Sequence, residues 1–342
     1  MPTRSVAYYD KATDLIRLDV SLGSLRGLPK PGHFYYLYQP MKLRFYESHP
    51  FTVASWSIPG MQEDVAQMGE STVPNNNTHS VSKTGDKEFH AGCRLTFWIR
   101  PFNGWTRRLR SDCMASWNHT IDTNILLEGP YGIHHELNRY ENVILVAGGT
   151  GIAAVLPHIE EYVRRTSPTF STEDISDSTS SSSHSFIDSD HRKKKRPATN
   201  TKFITLVWTV RQEGFIHSLA AAELRPALNH GGIDFHFHTT GHRSFFSLSS
   251  TSKTQPNETT RLLTPSPSSE PASLVPSEIK VHRNRPDLDK VVNNSLHSAR
   301  HNDATAVLVC GPAEMADETR AIVHEALKQG HRLEYFEESF GW

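Results

Sequence analysis

The stretch VILVAGGTGIAAVLPHI, residues 143–159, decides the fold. Residues 142–147 form a continuous apolar run, the mark of a strand buried on both faces of a parallel sheet. GGTG (148–151) follows, and then Ile152, Val155, Leu156, Ile159 and Val163 recur at helical spacing. The order is therefore strand, glycine loop, helix. Gly149, Gly151 and Ala154 fit a GxGxxA spacing. Small side chains at those positions, with Gly148 and Thr150 between and beside them, let a diphosphate approach the backbone N–H groups and the positive end of the helix. A tight strand–helix packing turn and a methyltransferase-type site use similar glycines.

Downstream, the α/β alternation continues. KFITLVWTVR (202–211), GIDFHFHTT (232–240), ATAVLVCGP (304–312) and LEYFEESFGW (333–342) read as strands. FIHSLAAAELRPAL (215–228), DLDKVVNNSLHSAR (287–300) and AEMADETRAIVHEAL (313–327) read as helices. Alternating strands and helices predict a parallel sheet, which binds ligands beyond the carboxyl ends of its strands. Arg211 ends one strand there, and a basic side chain in that place suits a 2′-phosphate; Glu213 close by is the competing signal. Cys310, Gly311 and Pro312 end another strand and leave room for a flat ring. The terminal aromatics Phe336, Phe340 and Trp342 either complete a core or cover a ligand face.

Upstream, short strands alternate with turns: LIRLDV (15–20), FYYLY (34–38), SHPFTVASW (48–56), RLTFWIR (94–100) and NILLEGPYG (124–132). This pattern predicts a small antiparallel β-barrel. Within it, Phe51 of His49-Pro50-Phe51-Thr52 could flank an aromatic ligand, Thr52 could hydrogen-bond it, and His49 and Arg100 could face its phosphates. Gly104-Trp105-Thr106 opens a short helix, where Thr106 and free N–H groups could hold a diphosphate.

Polar segments at about 58–90, 166–200 and 241–282 interrupt these halves, are expected to be disordered, and account for a mean hydropathy of -0.50. RKKKR (192–196) lies in one of them and reads as a solvated charge run. A net charge of -1 excludes a globally basic nucleic-acid binder. Three cysteines in 342 residues exclude a disulfide framework or a cysteine-rich zinc site, and no metal is expected. The first residues lack the apolar stretch of a signal peptide, and no run of about 18 apolar residues is available to span a membrane.

The order HPFT, GWTRRL, EGPYG, VAGGTGIA, VCGP and an aromatic C-terminus resembles the layout of the ferredoxin-NADP reductase superfamily. The wording SHPFTVAS, VWTVR, RPDL, CGPAEMADETR and ESFGW resembles the cytosolic half of fungal ferric-chelate reductases, relatives of the NADPH oxidases. The resemblance implies an FAD-binding barrel over 1–137 and a Rossmann-like NADP-binding domain over 138–342. It implies that His49, Pro50, Phe51 and Thr52 hold the isoalloxazine and ribityl, and that Arg100, Gly104 and Thr106 serve the flavin phosphates. Gly148, Gly149, Thr150 and Gly151 would carry the NADPH diphosphate and Arg211 its 2′-phosphate. Cys310, Gly311 and Pro312 would lie by the nicotinamide, with Trp342 as a lid over the flavin and Arg285 near the nucleotide. Hydride would pass from NADPH to FAD and single electrons onward to haem or a ferric chelate, on the cytosolic side of a plasma membrane. Relatives of this kind carry a haem-bearing membrane domain, which this chain lacks, so it is expected to be a fragment or a soluble relative. A superoxide-generating oxidase flavodomain and a non-catalytic remnant acting as an interaction module are the alternatives; the terminal Trp342, where oxidases end in Phe, favours the reductase.

Overall fold

A computed structural model of the chain describes residues 3–26, 28–40, 47–57, 89–167, 199–241, 279–300 and 303–338. Most of the three polar segments, the RKKKR run, Phe340 and Trp342 lie outside the described residues.

The first half runs β1 (Arg4–Asp10), β2 (Leu15–Ser21), β3 (Ser24–Arg26), β4 (Phe34–Tyr38), β5 (Ser48–Thr52), β6 (Ser55–Ser57), β7 (Phe89–Ala91), β8 (Arg94–Ile99), α1 (Gly104–Ala115), β9 (Thr120–Thr123) and β10 (Leu126–Tyr131). Period-two alternation places Ile16, Leu18 and Val20 of β2 inward, as an antiparallel strand with one wet face requires. Antiparallel sheets β6-β8-β2-β1-β9 and β10-β4-β5 enclose one core of Ala7, Leu18, Tyr35, Leu37, Phe97 and Ile125. Helix α1 closes it with Trp105, Leu109 and Cys113. SHPFTVASW is two strands and not one. At Val53 and Ala54 the chain leaves β4 for β8: Val53 N–H donates to His33 (3.0 Å) and Ala54 N–H to Thr96 (2.9 Å). That turn carries β5 to the barrel corner.

The second half runs β11 (Asn142–Gly148), α2 (Ile152–Thr166), β12 (Phe203–Val210), α3 (Glu213–Ala221), α4 (Arg225–Leu228), β13 (Ile233–Thr239), β14 (Val281–His282), α5 (Leu288–Ser298), β15 (Thr305–Cys310), α6 (Ala313–Lys328) and β16 (Leu333–Glu337). All six strands are parallel, in the order β14-β13-β12-β11-β15-β16. The sequence predicts one helix over 215–228. The chain instead breaks between Ala221 and Arg225, because Pro226 lacks an N–H and disfavours helical backbone before it. Central strands β11 and β15 are buried throughout, with α2 and α3 packed on one face and α5 and α6 on the other.

The two halves share apolar contact. Leu15, Ala54 and Trp98 of the barrel belong to the core of the parallel sheet. Trp98 meets Phe215 edge-to-face at 5.7 Å, and Arg17 reaches Glu223 at 2.6 Å. Neighbouring β8 residues thus point to different cores, Phe97 into the barrel and Trp98 into the sheet.

Candidate functional site

Strands β11 and β15 are neighbours in register, Ala147 opposite Cys310, so their carboxyl ends deliver GGTG and Cys310-Gly311-Pro312 to one place. Gly149–Gly151 forms a single 3-10 turn leading into α2. Gly149 sits at φ +57°, in the left-handed region, with open space where a side chain would stand. Gly151 is bare for another reason: a Cβ there would lie 2.1 Å from the Cys310 carbonyl oxygen. A Cβ on Gly148 would lie 2.5 Å from Pro312 Cδ. The Trp208 indole N–H of the adjacent strand donates to the Gly149 carbonyl at 3.0 Å and pins the turn. No side chain caps the start of α2, which leaves its first-turn N–H groups without a side-chain acceptor at the cap. The residues here fit a nucleotide diphosphate.

Arg211 follows β12 and is exposed, with no ion pair among the described residues. Glu213 is engaged elsewhere, by Arg283 at 3.4 Å and His217 at 3.5 Å. Arg100 lies half-buried beyond β8; burial holds its guanidinium below the ordinary arginine range, opposed by Asp14 and reinforced by nearby Arg211. Arg285 pairs with Glu314 at 3.8 Å on the surface. Burial, then the Glu338 carboxyl, pushes the Cys310 thiol up to about 12, so it stays protonated and neutral.

In the barrel, β5 pairs with β4: Phe34 opposite Thr52, Tyr35 opposite Phe51, Tyr36 opposite Pro50, Leu37 opposite His49. Alternation divides the HPFT residues. His49 and Phe51 pack on Trp105, His49 stacked at 6.3 Å and Phe51 edge-on at 5.9 Å. Pro50 and Thr52 belong to the opposite face, shared with Phe34 and Tyr36. There Phe34, Tyr36 and Tyr131 form an aromatic cluster with centroids 5.7–5.9 Å apart. Glu128 accepts from both Tyr38 and Tyr131 hydroxyls. Sequence reading takes FYYLY only as a strand. Five aromatic or apolar residues in a row give no sign of which face stays open.

At the start of α1, Thr106 turns inward, accepting from Phe102 N–H (3.2 Å) and donating to the Asn103 carbonyl (2.9 Å). The Trp105 N–H, expected to be free for a phosphate, donates to Glu47 Oε1 at 2.7 Å; Arg108 Nη2 donates to Glu47 Oε2 at 2.7 Å. Burial opposes the Glu47 charge, yet these two bonds, with Arg108 and His49 near, hold the carboxyl below the usual range. Gly104, at φ +61°, makes room: a Cβ would fall 1.7 Å from Glu47 Oε1.

The two halves of the site meet at Glu338, which sequence reasoning missed. Its carboxylate stands against Gly32, where a Cβ would lie 2.7 Å from Oε1, and close enough to Cys310 to raise the thiol. Both Glu338 oxygens are buried without a hydrogen-bond partner among the described residues, and burial pushes the carboxyl up to about 7. Gly32 precedes β4, and Cys310 touches Gly151. The barrel edge that carries Thr52 and the turn that carries GGTG therefore lie on either side of one carboxyl group. A groove of about 320 Å³ lined by Asn142, Phe203, Asp234 and Ser295 lies at the opposite, amino-terminal edge of the sheet and holds none of these residues.

Residues 140–324 match the family model described as the ferric reductase NAD binding domain. The chain belongs to that family. Residues 1–135 match the family model described as an FAD-binding domain, so the match to the NAD-binding domain follows a match to a flavin domain in one chain. Among its relatives is ferric reductase transmembrane component 6 of Saccharomyces cerevisiae, 21% identical over 318 residues, covering 92% of this chain and 34% of the relative. Component 3 of the same yeast is 24% identical over 347 residues, covering 96% and 38%. The chain thus spans little more than a third of these relatives. A flavohemoglobin from Malassezia yamatoensis, solved with bound FAD and heme, shares the fold at a TM-score of 0.50 and 12% identity, covering 100% of this chain and 61% of its own. Among the described residues no helix is long and apolar enough to cross a membrane.

Proposed function

We propose that the chain is the NADPH-oxidising flavin half of a ferric-chelate reductase, with residues 1–137 serving FAD and 138–342 serving NADPH. One observation carries this reading: Gly32, Glu338, Cys310 and Gly151 form a continuous junction, which supports a flavin strand and a dinucleotide turn that serve one site. FAD, when bound, supplies the two-electron to one-electron conversion that a nicotinamide donor and a ferric acceptor require.

The chain's own residues bind, align and exclude water. Gly148, Gly149, Thr150 and Gly151 would take the NADPH diphosphate at the start of α2, and Arg211 the 2′-phosphate. Gly311 and Pro312 would lie by the nicotinamide, beside the neutral Cys310 thiol, which would not compete as a nucleophile. Thr52 and Pro50, on the face with Tyr36, would hold the flavin ring, with His49 and Phe51 bracing that strand from behind through Trp105. Arg100, Gly104 and Thr106 belong to the flavin phosphate segment, and Trp342 is the lid. Haem in a membrane-bound portion, as the relatives' transmembrane names suit, is the next electron carrier, and iron acquisition is the use.

The test is a spectrum of the purified chain with added FAD, followed anaerobically on addition of NADPH and then of ferric citrate. Flavin bleaching by NADPH and recovery with iron reduction are expected. A chain that binds no flavin, or whose flavin NADPH leaves oxidised, overturns the proposal.

A further inference from the structure

We propose that His158 of α2 is an acid-operated catch on the segment that joins the two halves: neutral, it seats residues 133–136 against the second half; protonated, it releases them. Four histidines from three parts of the chain meet here. The His134 ring stacks on His158, centroids 6.1 Å apart and planes 9° from parallel, and its Nδ1 stands 3.2 Å from the Pro31 carbonyl oxygen of the barrel. His33 follows in the same barrel turn, its Nδ1 accepting the Lys30 N–H at 3.1 Å. His135 packs on Phe336 of β16 at 4.5 Å, and the Ile133 carbonyl faces Gly32. His158 itself is 5% exposed, and its Nε2 has no hydrogen-bond partner among the described residues. A cavity of about 20 Å³ adjoins it, lined also by Asn138, Glu161, Tyr162 and Thr201. The polar groups there are already engaged: Glu161 with Arg165, the Tyr162 hydroxyl with the Lys202 carbonyl, and the Thr201 hydroxyl with the Leu137 carbonyl. Glu334 faces His135 and accepts from the Tyr140 hydroxyl. A proton arriving on His158 therefore meets two further histidines and no idle carboxylate among the described residues.

Burial, then His134, then His135 push His158 down from 6.5 to about 3. Burial and then His134 also lower His33 and His135, with Lys30 adding to the first effect and Glu334 opposing the second. Each ring binds fewer protons seated than freed. Seating is therefore favoured above the ordinary histidine range and lost as pH falls through it. His158 alone makes release about tenfold easier at pH 5.5 than at pH 7.5. Glu338, which holds an extra proton when buried, works in the opposite sense over the same range, so the catch shows as a difference between chains that share Glu338. Release frees the segment from Gly32, which stands against Glu338, and so loosens the junction on which the functional reading rests.

The experiment measures amide hydrogen exchange over residues 133–140 of the full chain without flavin, at pH 5.5 and 7.5, each rate divided by its intrinsic rate at that pH. Wild type is compared with His158→Phe, which keeps a flat ring under His134 and takes no proton. The expected result is protection that falls on acidification about tenfold further in the wild type than in His158→Phe. The same pH dependence in both would show His158 to be a buried ring without a part in release, and would overturn the proposal. Should the variant not fold, the wild type decides by nuclear magnetic resonance. A His158 ring that titrates near the ordinary histidine value while these amides stay protected overturns the catch, and a ring that stays neutral until they open supports it. A chain that binds no flavin defeats the functional reading alone, because the exchange is read without flavin and still decides here.

Discussion

Gly151→Ala should cripple the chain, and for a reason that separates packing from backbone conformation. Gly151 sits at φ -60°, ψ -15°, which alanine adopts freely. Removing a glycine from the unfolded ensemble would by itself stabilise by about 0.4–1 kcal/mol. The added Cβ, however, lands 2.1 Å from the Cys310 oxygen, 2.8 Å from its carbonyl carbon and 3.2 Å from Sγ, where ordinary contact begins at 3.4 Å. Both nearest atoms are backbone of a strand buried along its whole length, so neither can swing aside. Relief needs a shift of more than 1 Å between β15 and the start of α2, at the severe end of overpacking, about 3 kcal/mol. With a urea slope of ~2–3 kcal/mol per molar, the midpoint should fall by ~1 M or more. Gly149→Ala is the counterpart. Its φ of +57° strains an alanine by about 1–2 kcal/mol, but the side chain enters open space. Urea unfolding followed by circular dichroism should therefore rank wild type, Gly149→Ala, Gly151→Ala in falling order, with NADPH affinity lost most in the last. Gly151→Ala within 0.5 kcal/mol of wild type, or more stable than Gly149→Ala, would refute the seating of GGTG on Cys310.

Other outcomes follow from the same geometry. Arg211→Ala should weaken NADPH by on the order of 2 kcal/mol, some thirtyfold, and leave NADH nearly untouched; equal losses for both in parallel titrations would remove the 2′-phosphate role. Glu338 has its carboxyl raised from 4.5 to about 7, so the folded state holds a proton that the unfolded state releases, and stability should decline as pH rises from 5 to 7. Glu338→Gln should flatten that decline by up to about 3 kcal/mol between those limits, and an unchanged slope in urea titrations at pH 5 and 8 would disprove the burial of its charge. Trp208→Phe removes the indole bond to Gly149 from a buried site and should cost ~1 kcal/mol together with some NADPH affinity; neutrality in both assays would show that the turn holds itself. Trp342→Ala should alter the Michaelis constants for NADPH and NADH, and unaltered values for both would end the lid role.

The parallel sheet is legible in the sequence because its central strands are buried on both faces. Residues 143–147 and 306–310 are apolar without interruption, and the glycines between strand and helix mark where backbones crowd. The barrel is legible from alternation, but alternation is silent on which face is covered. FYYLY therefore betrays a strand and conceals the aromatic cluster of Tyr36 with Tyr131, which needs β10 beside β4. HPFT announces a site and hides that His49 and Phe51 face Trp105 while Pro50 and Thr52 face away. Glu47 and Glu338 carry no local signal at all. One precedes a strand and the other follows one, as charged residues often do. Each acquires meaning only from a glycine distant in sequence, Gly104 for the first and Gly32 for the second, whose missing side chain admits the carboxylate.

Hydride transfer tolerates little slack between rings, so what joins the two halves matters as much as what each half holds. The contacts between them are of two kinds. At β2 and β8, Leu15, Ala54 and Trp98 continue the core of the parallel sheet, and Trp98 seats edge-on against Phe215. Parting that seam would expose aromatic surface worth several kcal/mol, on the order of 25 cal/mol per Å². Arg17 and Glu223 close its rim. At Gly32 the Glu338 carboxyl, with no hydrogen-bond partner among the described residues, meets the barrel beside His134, which bonds the Pro31 carbonyl and stacks on buried His158 at 6.1 Å, and His135, which meets Phe336 at 4.5 Å. Separation would therefore cost packing at both ends. The Thr52 strand and the turns that carry GGTG and Cys310 are thus held from both sides, by the apolar seam at one end and by the histidine, aromatic and carboxyl contact at the other.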